Sequence, residues 1–194
     1  SMREIGGLNV RVAREVVGAS SALLPQLYNP EADLYYRTLI ISPPRAGKTT
    51  ILRDLVRQVS DGWEGVGGRR VGLVDERSEL AGTFRGVPQK DVGVRADVLD
   101  ACPKAQGIMM LLRSMSPQII AVDEIGRPED AQALGEALNG GVGVFATAHA
   151  GCLEELEERP ILRELVEAKV FQRFVLLSRE NGVGTIAWVR GVDG

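Results

Sequence analysis

Cysteine and histidine are nearly absent: the chain holds Cys102, Cys152 and a single His149. With no C-x-x-C spacing and no second histidine, a disulfide framework and a zinc site are both excluded, and a reducing compartment is expected. Aromatic residues make up only 5% and the formal net charge is −3, far from the basic, aromatic-rich surface that single-stranded nucleic acid favours. No nucleic-acid partner is therefore expected. No apolar run approaches the ~18 residues of a bilayer span, and the N-terminus lacks a charged-then-apolar signal pattern. The chain reads as cytosolic, without direct membrane insertion. The abrupt start at Ser1-Met2 reads as the edge of an excised domain.

What is present is an alternation of short apolar runs and helical patterns. At 194 residues with 44% hydrophobic content, one substantial α/β domain is the simplest expectation. Residues 8–12, LNVRV, alternate as a half-buried strand, and the Pro- and Tyr-bearing stretch 25–37 reads as a connector. Residues 1–36 are thus assigned to the remnant of an N-terminal domain or linker, and 37–194 to the main domain. There, RTLIIS, RRVGLVDE, QIIAVDE and GVFATAH read as strands. KTTILRDLVRQVS, PKAQGIMMLLRSM, PEDAQALGEALNG, CLEELEER and PILRELVEA read as helices. Residues 78–102 read as one long functional loop, and RFVLLSRENGVGTIAWVRGV as a C-terminal β-hairpin. Such alternation predicts a mostly parallel sheet covered by helices on both faces.

The run SPPRAGKTT (42–50) sits between the first of these strands and its helix, the context a phosphate-binding loop requires. Its first position is Ser42 rather than glycine, followed by Pro43, Pro44, Arg45 and Ala46. Gly47 permits close backbone approach, Lys48 reaches terminal phosphates, Thr49 suits magnesium, and Thr50 opens the helix. The strand IIAVDE delivers Asp123 and Glu124 at its C-terminal end, where ligands bind in open parallel sheets. Asp123 suits magnesium, and Glu124 suits orientation of an attacking water. ATP and Mg2+ are the expected ligands. A complete strand, 69–76, lies between the two motifs, which argues for a RecA-like arrangement with a strand inserted between them. That strand also ends in acid, and either Glu76 or Glu79 is placed to approach a terminal phosphate. A plain acidic helix start explains DERSEL equally well. His149 ends another central strand and suits phosphate sensing or coupling.

Together, TLIISPPRAGKTT, VGLVDERSELAG, the 86–134 stretch and VFATAHA resemble the stage III sporulation protein AA family of endospore-forming bacteria. Those proteins are RecA-like P-loop ATPases related to the traffic ATPases of type II and type IV secretion. The resemblance implies a Walker A element at Lys48 and Thr49, an acidic box with Glu79 and a Walker B element at Asp123 and Glu124. It also implies a histidine box at His149. It further implies a homo-hexamer when full length, acting in the mother-cell cytoplasm on a membrane platform protein and other components of the sporulation channel.

Arginines that complete such sites come from a neighbouring domain or subunit in secretion ATPases. Arg113, Arg127, Arg11, Arg14, Arg85 and Arg95 are all eligible here. Tyr28, Tyr35 and Tyr36 are candidates for packing on adenine. Three functions compete: an ATP-hydrolysing motor subunit, a nucleotide-gated scaffold with little turnover, and a nucleic-acid-dependent RecA-like ATPase.

Overall fold

The computed structural model describes residues 15–192; the strand expected at 8–12, with Arg11 and Arg14, lies outside them. In chain order the elements are α1 (Leu24–Leu27), β1 (Tyr28–Asn29), β2 (Leu34–Tyr35), β3 (Thr38–Ser42), α2 (Lys48–Asp61), β4 (Gly62–Trp63) and β5 (Val66–Gly67). They continue with β6 (Val71–Asp75), β7 (Ala96–Asp100), α3 (Lys104–Ser114), β8 (Ile119–Val122), α4 (Pro128–Asn139) and β9 (Gly143–His149). The chain closes with α5 (Glu154–Glu157), α6 (Pro160–Glu167), β10 (Arg173–Ser178) and β11 (Thr185–Gly191).

The central strands β3, β6 and β8 are buried at every position, as strands covered on both faces must be. They build a seven-stranded sheet in the order β11-β10-β3-β9-β8-β6-β7. All its pairings are parallel except the terminal β10–β11 hairpin. Alternate side chains feed two cores. Ile40, Leu73, Ala121 and Phe145 pack with α1 and α2 on one face, while Leu39, Ile41, Val74, Ile120 and Val122 pack with α3, α4 and α6 on the other. The five apolar residues expected to give α2 its stripe, Ile51, Leu52, Leu55, Val56 and Val59, are all buried.

The structure corrects the sequence reading in two places. The strand inserted between β3 and β8 is β9, which follows both in the chain; β6 lies on the outer side of β8. The loop expected over 78–102 contains the edge strand β7, where Asp97 and Asp100 interrupt the apolar pattern. Ahead of β3, Leu23, Leu24, Leu27 and Tyr35 pack into the first of the two cores.

The incoming segment is fastened to α2 by the buried Asp54, which is 4% exposed. Its carboxylate accepts from Gly18 N (3.0 Å), Ser20 N and Oγ (both 2.8 Å), Arg57 Nη2 (2.9 Å) and Gln58 Nε2 (2.8 Å). Burial alone would raise its pKa, but the bonds from Ser20, Arg57 and Gly18 outweigh burial and hold it below the ordinary value. A carboxyl with a depressed folded pKa stabilises the fold above its unfolded pKa, and that stability is lost as pH falls through the folded one. Asp54→Ala should cost about 2–3 kcal/mol at neutral pH in urea unfolding, since charged hydrogen bonds are lost and donors left unpaired. Asp54→Asn should in addition flatten the acid side of the stability profile below about pH 4.

Candidate nucleotide site

At the C-terminal rim of the sheet, β3 runs out of the core at Ser42 and the chain turns through residues 43–47 into α2. The turn demands left-handed backbone at Arg45 (φ 61°) and Gly47 (φ 96°). Glycine is required at 47 on steric grounds as well. An added Cβ would lie 3.1 Å from the Gly184 backbone and from Val183 Cγ1. The tip of the β10–β11 hairpin thus rests on the loop, and Gly184 N donates to Ala46 O at 2.9 Å.

Lys48 is 7% exposed. Its ammonium donates to Ser42 Oγ (3.1 Å) and to His149 Nδ1 (2.9 Å). Burial pushes its pKa down, opposed by Asp123 and Glu124. Ser42 is therefore more than a tolerated substitute for glycine, because its hydroxyl holds the lysine while donating to Pro43 O. His149 reaches this point because β9 lies directly beside β3, with His149 in register with Ser42. Accepting from Lys48 at Nδ1 places the imidazole proton on Nε2, which lies 3.8 Å from Glu124 Oε1.

Thr49 Oγ1 donates to Asp123 Oδ2 at 3.0 Å. Thr147, a fully buried hydroxyl in β9, donates to the other oxygen of Asp123 and accepts the Glu124 N–H at 2.8 Å. Glu124 itself is left-handed (φ 56°), a costly conformation for a non-glycine residue that the surrounding bonds must hold. Its carboxylate meets Arg77 Nη1 at 2.7 Å. These groups line an open cleft of about 630 Å³ that runs from Pro44–Thr50 past Arg77, Glu79, Asp123 and Glu124 to His149, with Val183 at its edge.

Asp75 and Glu76 have other duties. The Asp75 carboxylate, 2% exposed, accepts the N–H groups of Glu79, Leu80 and Ala81 and so shapes the turn after β6. Glu76 pairs with Lys104 and lies 3.6 Å from Arg127. Of the two acidic alternatives, Glu79 is the one that lines the main cleft.

The eligible arginines separate in the same way. Arg127 reaches the rim beside Glu76. Arg113 lies roughly 14 Å further along α3 than Lys104, toward the opposite rim, and is not brought to this site. Arg85 covers the Phe84 ring and Arg95 donates to Ser60 O. Tyr35 and Tyr36 precede β3 and line a separate cavity of about 240 Å³ at the opposite rim, so they are not available to a base at this loop. Tyr28 pairs with Tyr35 across β1–β2.

Sequence reasoning missed Arg77, Thr147 and Val183. A lone hydroxyl within the apolar run VFATA was the one available sign of Thr147.

The donor set suits magnesium. Thr49 and Asp123 offer hard oxygen atoms within one hydrogen bond of each other. Among the described residues no group of three or more His, Cys, Asp or Glu side chains forms an all-protein metal cage. Magnesium needs none, since it keeps waters and takes phosphate oxygens.

A family model described as sporulation stage III, protein AA, matches residues 1–193. The stage III sporulation protein AA of Bacillus subtilis (strain 168) is 49% identical over 193 residues, covering 100% of this chain and 62% of that protein. Among solved structures, the Legionella pneumophila ATPase DotB matches with a TM-score of 0.54 at 19% identity, over 73% of this chain and 40% of that one. The VirB11 ATPase of the Brucella suis type IV secretion system matches at 0.54 and 20% identity, over 80% and 48%. These likenesses show that the fold is RecA-like, as in DotB and VirB11.

The environment of His149 makes a spectroscopic prediction. Burial first, and the Lys48 charge second, hold its pKa below 6.5. As the chain's one histidine, it should give a single NMR titration with a midpoint below that value and a neutral Nε2–H tautomer at pH 7. Lys48→Met should move the midpoint upward.

Proposed function

The chain belongs to the sporulation stage III protein AA family, and from that premise we propose that it is the ATP-binding and ATP-hydrolysing motor domain of a secretion-like envelope complex. The chain spans 62% of the length of the Bacillus subtilis relative. The proposed assembly therefore concerns the longer protein: a homo-hexamer on the mother-cell side of the sporulation channel, working with a membrane platform protein. No described helix is long and apolar enough to cross a membrane. Residues 37–194 form the proposed ATPase domain.

One observation carries the reading. The Thr49 hydroxyl bonds Asp123, 74 positions away in sequence, at 3.0 Å, so a phosphate loop and an Asp-Glu strand end are joined across one cleft.

In the proposed reaction, N–H groups of 45–50 and the α2 N-terminus cradle the phosphates. Lys48 exchanges Ser42 and His149 for phosphate oxygens. Thr49 and Asp123 would hold magnesium, which when bound neutralises phosphate charge. Glu124 orients a water molecule and accepts its proton as the water oxygen attacks the terminal phosphorus, while the bond from that phosphorus to the bridging oxygen of ADP breaks. Glu79 and His149 face the same phosphate.

With Mg-ATP, Glu124→Gln should retain binding, seen as a raised Tm, and lose turnover by about 10²- to 10⁴-fold. Lys48→Ala should lose both the Tm shift and turnover. Wild-type turnover in both variants would remove these residues from the reaction.

A further inference from the structure

The turn after β6 separates two neighbouring charges. Glu76 is drawn sideways to Lys104 and Arg127, while Arg77 points into the cleft and meets Glu124 at 2.7 Å. The backbone on either side of Arg77 is braced. Asp75 collects the N–H groups of 79–81, and Ser78, left-handed at φ 54°, donates its hydroxyl to Asp100 at 2.6 Å. The Arg77 side chain is not braced: it is 63% exposed and its partner 38%. Exposed ion pairs of this kind contribute little and exchange readily.

Two arginines line the cleft, Arg45 in the phosphate loop and Arg77 opposite it. Of these, Arg77 contacts the carboxylate beside which the attacking water would sit. A terminal phosphate entering between Lys48 and Glu124 brings about two negative charges within reach of a guanidinium that now has one carboxylate to satisfy. Guanidinium offers five donors in a planar fork and can serve phosphate and carboxylate together.

We propose that Arg77 is a phosphate-contacting arginine supplied by the chain itself, held at the site by Glu124 until the terminal phosphate of ATP arrives. It then carries the charge of the transferring phosphoryl group while releasing Glu124 to the water. The proposal rests on the ATPase reading above and assigns within one subunit a role that secretion ATPases give to arginines from neighbours.

The test is made in the full-length protein with three readouts: turnover of Mg-ATP, affinity for Mg-ADP, and affinity for Mg-ATPγS. Arg77→Ala should lower saturated turnover by about 10²-fold or more, as loss of a transition-state donor does. It should weaken ATPγS binding at least tenfold and leave ADP affinity within about twofold. Arg77→Lys should recover ATPγS affinity in part and turnover poorly, because a point charge cannot bridge two anions in a plane. Unchanged or raised turnover in Arg77→Ala overturns the proposal, as does an equal loss of ADP and ATPγS affinity. If the wild type binds neither nucleotide, the ATPase reading fails and the proposal with it. Wild-type binding with an unaltered ADP to ATPγS ratio in Arg77→Ala sinks the proposal alone.

Discussion

The ammonium of a lysine only 7% exposed must be compensated, and the organisation of the site follows from how Lys48 is. Its partners are two polar atoms, Ser42 Oγ and His149 Nδ1, with the carboxylates of Asp123 and Glu124 acting at longer range. Neutral partners are the kind a phosphate can displace. A direct carboxylate partner would hold the lysine far more firmly and compete with the ligand. Placing those partners requires β9 beside β3, so the sheet order and the lysine's environment are one constraint. The same strand sends Thr147 to fix Asp123 and the backbone of Glu124.

The phosphate-loop helix also ties the site to the rest of the chain. On successive positions of α2, Arg53 donates to the carbonyl oxygens of Glu79 and Leu80, and Asp54 gathers the segment at Gly18 and Ser20. The acidic turn and the entering polypeptide are therefore held by one rigid element whose first residue is Lys48.

Much of this was legible in the sequence. The strand–loop–helix context of SPPRAGKTT and the apolar strand leading into Asp123 and Glu124 specified the cleft, because local periodicity reports burial and strand ends share a rim. Order across the sheet was not legible. Nothing local in RRVGLVDE or GVFATAH says which of them neighbours the phosphate loop, and pairing between parallel strands is decided by tertiary packing. β7 was hidden because an edge strand tolerates charge, and Asp97 and Asp100, on opposite faces, break its apolar alternation. The tyrosines suggested an adenine platform by residue type alone, whereas the direction of β3 carries them to the far rim. Arg77 was invisible for a similar reason. In DERSEL it sits among acids, and only the turn set by Asp75 shows which of the charges faces inward.

The central claim is that the charges of this cleft satisfy one another when no phosphate is present and re-pair onto phosphate when nucleotide binds. A crystal structure with Mg2+ and a non-hydrolysable ATP analogue tests it most directly. The account predicts phosphate oxygens within hydrogen-bonding distance, about 2.7–3.2 Å, of Lys48 Nζ and of loop N–H groups, with the Lys48–His149 contact broken. Nucleotide bound elsewhere, or bound here with Lys48 still joined to His149, would contradict it.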